Sequence, residues 1–244
     1  MTTSLRALIW DVDGTIAETE AEGHRVAFNQ AFEARGLPWH WDLPTYGRLL
    51  DVTGGRERLL AFMQTCADAP ATADAREALA RRLHEEKNVR YAERVARGGI
   101  SARPGVRRLM DACTREGVAL AVATTTSTRN VEALFGSLFG AGWRDRFAAV
   151  VCAEDAPSKK PDPQAYQLAL QRLCIGPHEA FAIEDSPNGL KAARAAGIPC
   201  GITRSAYFAD AVFDGAAWVR PSLDQPSPMT LNLLRSEPSV KILS

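Results

Sequence analysis

The chain holds no CxxC pair and no HxxxH pair. Its five cysteines, Cys66, Cys113, Cys152, Cys174 and Cys200, are scattered, as are its four histidines. An odd cysteine count without paired spacing argues against both a disulfide framework and a zinc site. The cysteines are read instead as buried thiols of a cytoplasmic protein in a reducing compartment. No apolar run approaches bilayer length. Leu5–Trp10 is interrupted by Arg6 and ends at Asp11, so it is no signal-peptide core. The formal net charge is zero, which excludes a general polyanion binder. Neither a membrane nor a nucleic acid is expected as a partner, and the sequence suggests a monomer acting on a small molecule.

What is present is ordinary in bulk and unusual in one place. Apolar residues make up 46% and charged residues 24% of 244 residues, the composition of a globular protein with one large or two small domains. The unusual place is the run Leu8-Ile-Trp-Asp-Val-Asp-Gly14, where an apolar stretch runs straight into Asp11 and Asp13. Two carboxylates so close repel unless a cation lies between them or one holds a proton.

Leu5–Trp10, Val118–Ala123, Ala149–Cys152, Phe181–Ile183, Pro199–Ile202 and Ala217–Val219 read as short buried strands. Helices are predicted over Ala21–Arg35, Ala73–Arg97, from Pro104 to Gly117, over Thr128–Leu138 and Pro163–Leu173, and from an N-cap at Ser186 to Gly197. The mixed charges of Ala73–Arg97 suit a solvated helix face. Strands therefore alternate with helices before residue 20 and after residue 100, with a helical block between. The pattern predicts an α/β parallel sheet covered by helices on both faces, with the block folded separately. The expected division is a core of 1–17 and 99–225, a helical domain of 18–98, and a loose C-terminal tail of 226–244.

Ligands of open parallel sheets bind beyond the carboxyl ends of the strands. Those positions hold Asp11 and Asp13, then Thr124–Thr126, then Lys159-Lys160-Pro161, then Glu184-Asp185. Taken singly, the Thr triplet also suits a helix cap, Lys-Lys-Pro a surface loop, and Glu-Asp a helix N-terminus. Their conjunction at one sheet edge favours phosphate chemistry. Mg²⁺ takes hard oxygens from carboxylates and phosphate, and the expected ligand set is Asp11, Asp13, Glu184 and Asp185. Lys160 and Thr124 would help neutralise a phosphate dianion, so that Asp11 can attack phosphorus. Asp13 would protonate the leaving alkoxide and later take a proton from water, which requires its carboxyl to be raised toward working pH.

These four segments, Asp11-Val-Asp-Gly-Thr15, Thr124, Lys160-Pro161 and Glu184-Asp185, resemble the motifs of the haloacid dehalogenase-like hydrolase superfamily over about residues 5–220. The resemblance implies a Rossmann-like core with a helical cap inserted after the first motif, Asp11 as nucleophile, Asp13 as acid and base, and Mg²⁺ as cofactor. The cap is similar to that of the branch holding beta-phosphoglucomutases, phosphoglycolate phosphatases and CbbY phosphatases. "DVDGTIAETE", "HRVAFN", "TGGRERLL" and "ATTTS" resemble the CbbY group, which implies a sugar-bisphosphate phosphatase acting on xylulose 1,5-bisphosphate. The spacing from Glu20 to His24 is one residue longer than in some members.

A bisphosphate needs a second anion site. His24, Arg56 and Lys87 are the expected phosphate ligands and Glu18 the expected ligand of sugar hydroxyls. Gly54 and Gly55 would let backbone approach the ligand, and Thr53 and Thr125 complete the set. The alternative reading of Arg56 is a salt bridge with Glu57. Within the same fold a mutase would return the phosphoryl group to the sugar, and Thr15 favours hydrolysis over it. A phospho-accepting signalling module also uses strand-end Asp, Thr and Lys, but has no use for a helical insertion over the site.

Overall fold

The first strand, β1 (Ala7–Trp10), is buried at every position, as a strand flanked by neighbours on both edges and helices on both faces must be. In the computed structural model, which describes residues 4–236, it pairs in parallel with β2 (Ala119–Ala123) on one side and β4 (Ala180–Glu184) on the other. β3 (Ala149–Val151), β5 (Cys200–Thr203) and β6 (Trp218–Arg220) complete a parallel sheet ordered β3-β2-β1-β4-β5-β6. The winding direction reverses between β1 and β4, the switch point at which ligands of such sheets bind.

Helices cover both faces. One apolar cluster joins Leu8, Trp10 and Phe181 to α5 (Val106–Arg115) and α6 (Thr128–Phe139). The other joins Ile9, Ala121 and Ala182 to α7 (Gln164–Leu173) and α8 (Pro187–Ala195). Ser127 and Ser186 cap α6 and α8 by accepting from Asn130 N and Gly189 N. Pro104 does not open α5. Gly105 takes φ +85° as the N-cap, a conformation that puts Pro104 outside the helix.

Between β1 and β2 lie α1 (Arg25–Ala34), α2 (Leu43–Leu49), α3 (Gly55–Thr65) and α4 (Ala73–Ala96). They enclose their own core of Phe28, Phe32, Trp39, Trp41, Tyr46, Leu59 and Leu83. A continuous helix was expected over Ala21–Arg35. Instead Glu20–His24 forms a π-helical turn, with His24 N donating to Thr19 O at 2.8 Å. A π turn holds one residue more than an α turn.

Two further expectations are corrected. Residues 226–236 are no loose tail. Met229, Leu231 and Leu234 are buried against the α5 side of the core, the last two on α9 (Leu231–Ser236), because they supply apolar side chains that this face needs covered. The remainder of the expected tail, 237–244, lies outside the described residues. Of the five free thiols, Cys113, Cys152 and Cys200 are buried, but Cys66 is half-buried and Cys174 exposed.

Candidate active site

Asp11 follows β1 directly, and its N–H still donates to Ile183 O at 3.0 Å, so its position is fixed by the sheet. Glu184 is the last residue of β4 and Asp185 the next. Oxygens of Asp11, Glu184 and Asp185 lie within 4.8 Å of one another, all three residues buried. Two glycines make room for them. A Cβ on Gly14, which turns at φ +79°, would lie 2.0 Å from Asp185 Oδ2, and one on Gly189 would lie 2.0 Å from the Glu184 carboxyl.

Lys160 Nζ bridges Asp11 Oδ1 at 2.6 Å and Glu184 Oε1 at 2.5 Å. Tyr166 adds a hydroxyl that donates to Glu184 Oε1 at 2.7 Å. Burial works against the ammonium, but Asp11 and Glu184 outweigh it and raise the lysine. One ammonium does not balance three carboxyls. Burial and the Glu184 charge hold Asp11 well above the usual carboxylate range, and burial, Asp11 and Glu184 do the same to Asp185. This donor set fits a small divalent cation: three hard oxygens converge, and a cation among them would remove the repulsion that lifts Asp11 and Asp185.

The Asp13 carboxylate does not join this group. Its Oδ1 accepts from Thr19 Oγ1 and lies 2.9 Å from His24 Nε2. Burial alone would raise Asp13, but His24, Thr19 and Lys87 overcome it and bring the carboxyl down to about 2. The free site therefore holds Asp13 ionised, opposite to what a proton donor needs. His24 is itself buried, stacked on Tyr91 at a ring distance of 4.1 Å.

A cavity of about 260 Å³ opens over the sheet edge. Asp11, Asp13, Thr124, Thr125, Lys160 and Asp185 line it from the core, and Glu20, Thr53, Gly54 and Arg58 from the helical domain. Thr124 is fixed by its N–H donating to Val151 O at 3.0 Å, and its Oγ1 accepts from Thr126 N at 3.2 Å. Beside it a smaller recess, about 40 Å³, is lined by Asp13, His24, Gly55, Arg58, His84 and Lys87 among others. Core carboxylates thus line the larger space and His24 and Lys87 the recess beside it, with Asp13, Glu20, Gly54, Arg58 and Thr125 common to both.

The haloacid dehalogenase-like hydrolase family model matches residues 5–197. The chain belongs to that family. This haloacid dehalogenase-like hydrolase is 45% identical to the plasmid protein CbbY of Cupriavidus necator, over 91% of this chain and 87% of that one. It is 40% identical to CbbY from Rhodobacter sphaeroides, whose crystal structure in complex with phosphate superposes with a TM-score of 0.85, covering 91% of this chain and 96% of that one. A mutant of the same Rhodobacter protein has been solved in complex with xylulose-(1,5)bisphosphate, with the same score and coverage.

Two of the hydrolase's expected cap ligands lie elsewhere. Glu18 is exposed in the linker to the cap, its Oε1 3.3 Å from Arg103 Nε, and lines a different cavity. Arg56 is exposed on α3 and pairs with Glu77 at 2.6 Å and Glu57 at 3.6 Å. The salt bridge weighed against it is thus formed. Two residues further along the helix is about 200° of rotation, and there Arg58 is buried and lines both spaces. Glu20 replaces Glu18, accepting from Tyr46 OH at 2.5 Å, and Arg58 Nη1 donates to the same hydroxyl at 2.9 Å.

Glu20, Arg58, Tyr166, His84 and the cavity residues Asn188 and Lys191 escaped sequence reasoning. Arg58 had a signal: it adjoins Leu59 and Met63, the apolar face of α3. Lys87 is buried on α4 and lines the recess. Its amine is brought down to about 8 by burial, with Asp13 and Glu20 opposing and Arg58 assisting. Burial, then the charges of Lys87, His24, Arg56 and Arg58, hold His84 at about 3 and hence neutral.

Proposed function

We propose that this chain is a Mg²⁺-dependent phosphatase that removes one phosphate from a sugar bisphosphate, with xylulose 1,5-bisphosphate as substrate and xylulose 5-phosphate as product. The observation that carries the reading is the placing of two opposite charge sets in two adjoining spaces that share Asp13 and Arg58. Asp11, Glu184, Asp185 and Lys160 can take a cation with one phosphate, while Arg58, Lys87 and His24 offer positive and hydrogen-bonding groups for another. The bisphosphate in the Rhodobacter relative's complex carries one anionic group for each set.

Asp11, Glu184 and Asp185 would hold Mg²⁺, which supplies charge neutralisation for the transferring phosphoryl oxygens. Lys160 restrains Asp11 through a hydrogen bond and adds a positive charge beside the incoming phosphate. Asp11 attacks phosphorus. Its carboxylate forms an O–P bond while the bond from phosphorus to the sugar oxygen breaks. Asp13 gives its proton to the departing alkoxide, then accepts one from the water that splits the aspartyl phosphate into Asp11 and inorganic phosphate. Asp13, ionised in the free site, takes up that proton as substrate binds, because a phosphate anion beside it raises the carboxyl again. Thr124 and Thr125 border the phosphate side of the cavity. Asn188 Nδ2 donates to Thr53 Oγ1 at 3.0 Å, joining cap to core at the rim and restricting water. The free thiols suit a reducing compartment.

The test is a panel of phosphorylated sugars assayed with and without Mg²⁺. Stoichiometric inorganic phosphate from xylulose 1,5-bisphosphate is expected. Isomerisation of beta-glucose 1-phosphate without phosphate release would replace this reading with a mutase.

A further inference from the structure

Arg103 is the most connected side chain outside the cavity, and the chemistry described so far does not use it. Its side chain is 8% exposed. The guanidinium donates to the carbonyls of Gly14, Thr203, Arg204 and Pro221, with Thr203 O at 3.0 Å and Pro221 O at 3.1 Å, and to Thr203 Oγ1 at 3.2 Å. Its own N–H donates to Ile16 O at 2.8 Å. One residue thus grips the loop after β1 twice and joins it to the end of β5.

Both of those places touch Asp185. Gly14 packs so closely on Asp185 Oδ2 that no Cβ would fit between them. Ser205, next to the gripped Arg204 carbonyl, is buried beside Asp185 and favours its ionised carboxylate. Asp185 is therefore held between two short segments whose separation Arg103 sets. Arg103 also belongs to the linker that returns from the cap: its neighbour Ala102 bridges Ala17, on the outgoing linker, and Glu18 pairs with Arg103 Nε.

We propose that Arg103 is a positioning residue for the cation site, fixing Asp185 from both sides and tying that position to the paired linkers of the cap. The inference rests on the cation reading above. An arginine is needed because a planar fork reaches several carbonyls at once, which a lysine ammonium on a flexible stem does not. Residues that orient metal ligands without touching the metal commonly change metal affinity or activity about tenfold to a hundredfold.

The experiment is calorimetric titration of Mg²⁺ into the full chain, wild type, Arg103→Lys and Ser205→Ala, beside thermal melting with and without Mg²⁺ and turnover against Mg²⁺ concentration. Arg103→Lys is expected to raise the Mg²⁺ Kd about tenfold or more and to shrink the Mg²⁺-induced gain in melting temperature. Ser205→Ala, which leaves the Arg103 contacts intact, is expected to shift the Mg²⁺ Kd in the same direction by less. Arg103→Lys that melts earlier but binds Mg²⁺ as tightly as wild type would make Arg103 a structural clamp only and overturn the proposal. Wild type that binds no Mg²⁺ would overturn the cation reading itself, a separate result.

Discussion

Lys160 Nζ stands 2.6 Å from Asp11 Oδ1, a buried ion pair between the third motif and the first. The pair shares its ammonium with Glu184, so removing Lys160 leaves two carboxyls without their cationic partner. Lys160→Met is expected to lower kcat by about 10²–10³, the usual effect of losing one donor aimed at developing charge. Steady-state kinetics at saturating Mg²⁺ would check it. A change within about threefold would remove Lys160 from the reaction.

The nucleophile is tested separately. Asn differs from Asp by one atom and retains the shape of the site but not the anionic oxygen that bonds to phosphorus. Asp11→Asn should give no turnover and no phosphorylated protein by mass spectrometry, while the sugar bisphosphate still binds calorimetrically. Activity near that of wild type would mean that another group attacks.

The cap correction yields a third expectation. Arg58 faces both spaces and Arg56 faces solvent beside Glu77. A hydrogen bond to a charged group contributes about 1.5–3 kcal/mol, which is about tenfold to a hundredfold in KM. Arg58→Lys should raise KM for the bisphosphate by at least about tenfold and change kcat little, whereas Arg56→Ala should stay within about threefold. The reverse ranking would restore Arg56 as the ligand.

The contrast between Arg56 and Arg58 shows where sequence reading stopped. The parallel sheet, the strand-end residues and the insertion were legible because a short apolar strand ending in Asp, Thr, Lys or Glu-Asp carries its own signal. Element ends shifted by a residue or two, and Ala180 and Glu184 extend a strand read as Phe181–Ile183. The cap was less legible. Three glutamates, Glu18, Glu20 and Glu22, stand in one short stretch, and which one points inward depends on where the chain leaves the loop and on the π turn that begins at Glu20. Nothing local in the sequence fixes that phase. The charge state of Asp13 in the free site was out of reach for a similar reason: it is set by His24, Thr19 and Lys87, and only folding brings His24 and Lys87 near.

Lys87 supplies a pH dependence. Its amine is held down to about 8, so it is protonated below that pH and neutral above it. A sugar phosphate has a second pKa of about 6 and is already dianionic there, so its own titration does not contribute. KM should therefore rise as pH passes through about 8, with kcat less affected. Lys87→Arg keeps its charge throughout this range and should flatten the rise. A KM for wild type that is level from about pH 7 to 9.5 would mean that Lys87 does not face the phosphate.

Removing the cation gives the final expectation. Asp11 is raised by burial, Glu184 and Asp13, and Asp185 by burial, Asp11 and Glu184. Without a dication part of that carboxyl cluster takes up protons, and a protonated Asp11 is no nucleophile. Excess EDTA should abolish turnover, and Mg²⁺ should restore it. Ca²⁺ is larger and takes more ligands at longer distances, so it should occupy the three carboxylates without restoring full rate and should compete with Mg²⁺. Full activity in EDTA, or equal rates with Ca²⁺ and Mg²⁺, would show that Asp11, Glu184 and Asp185 do not act through a small octahedral cation.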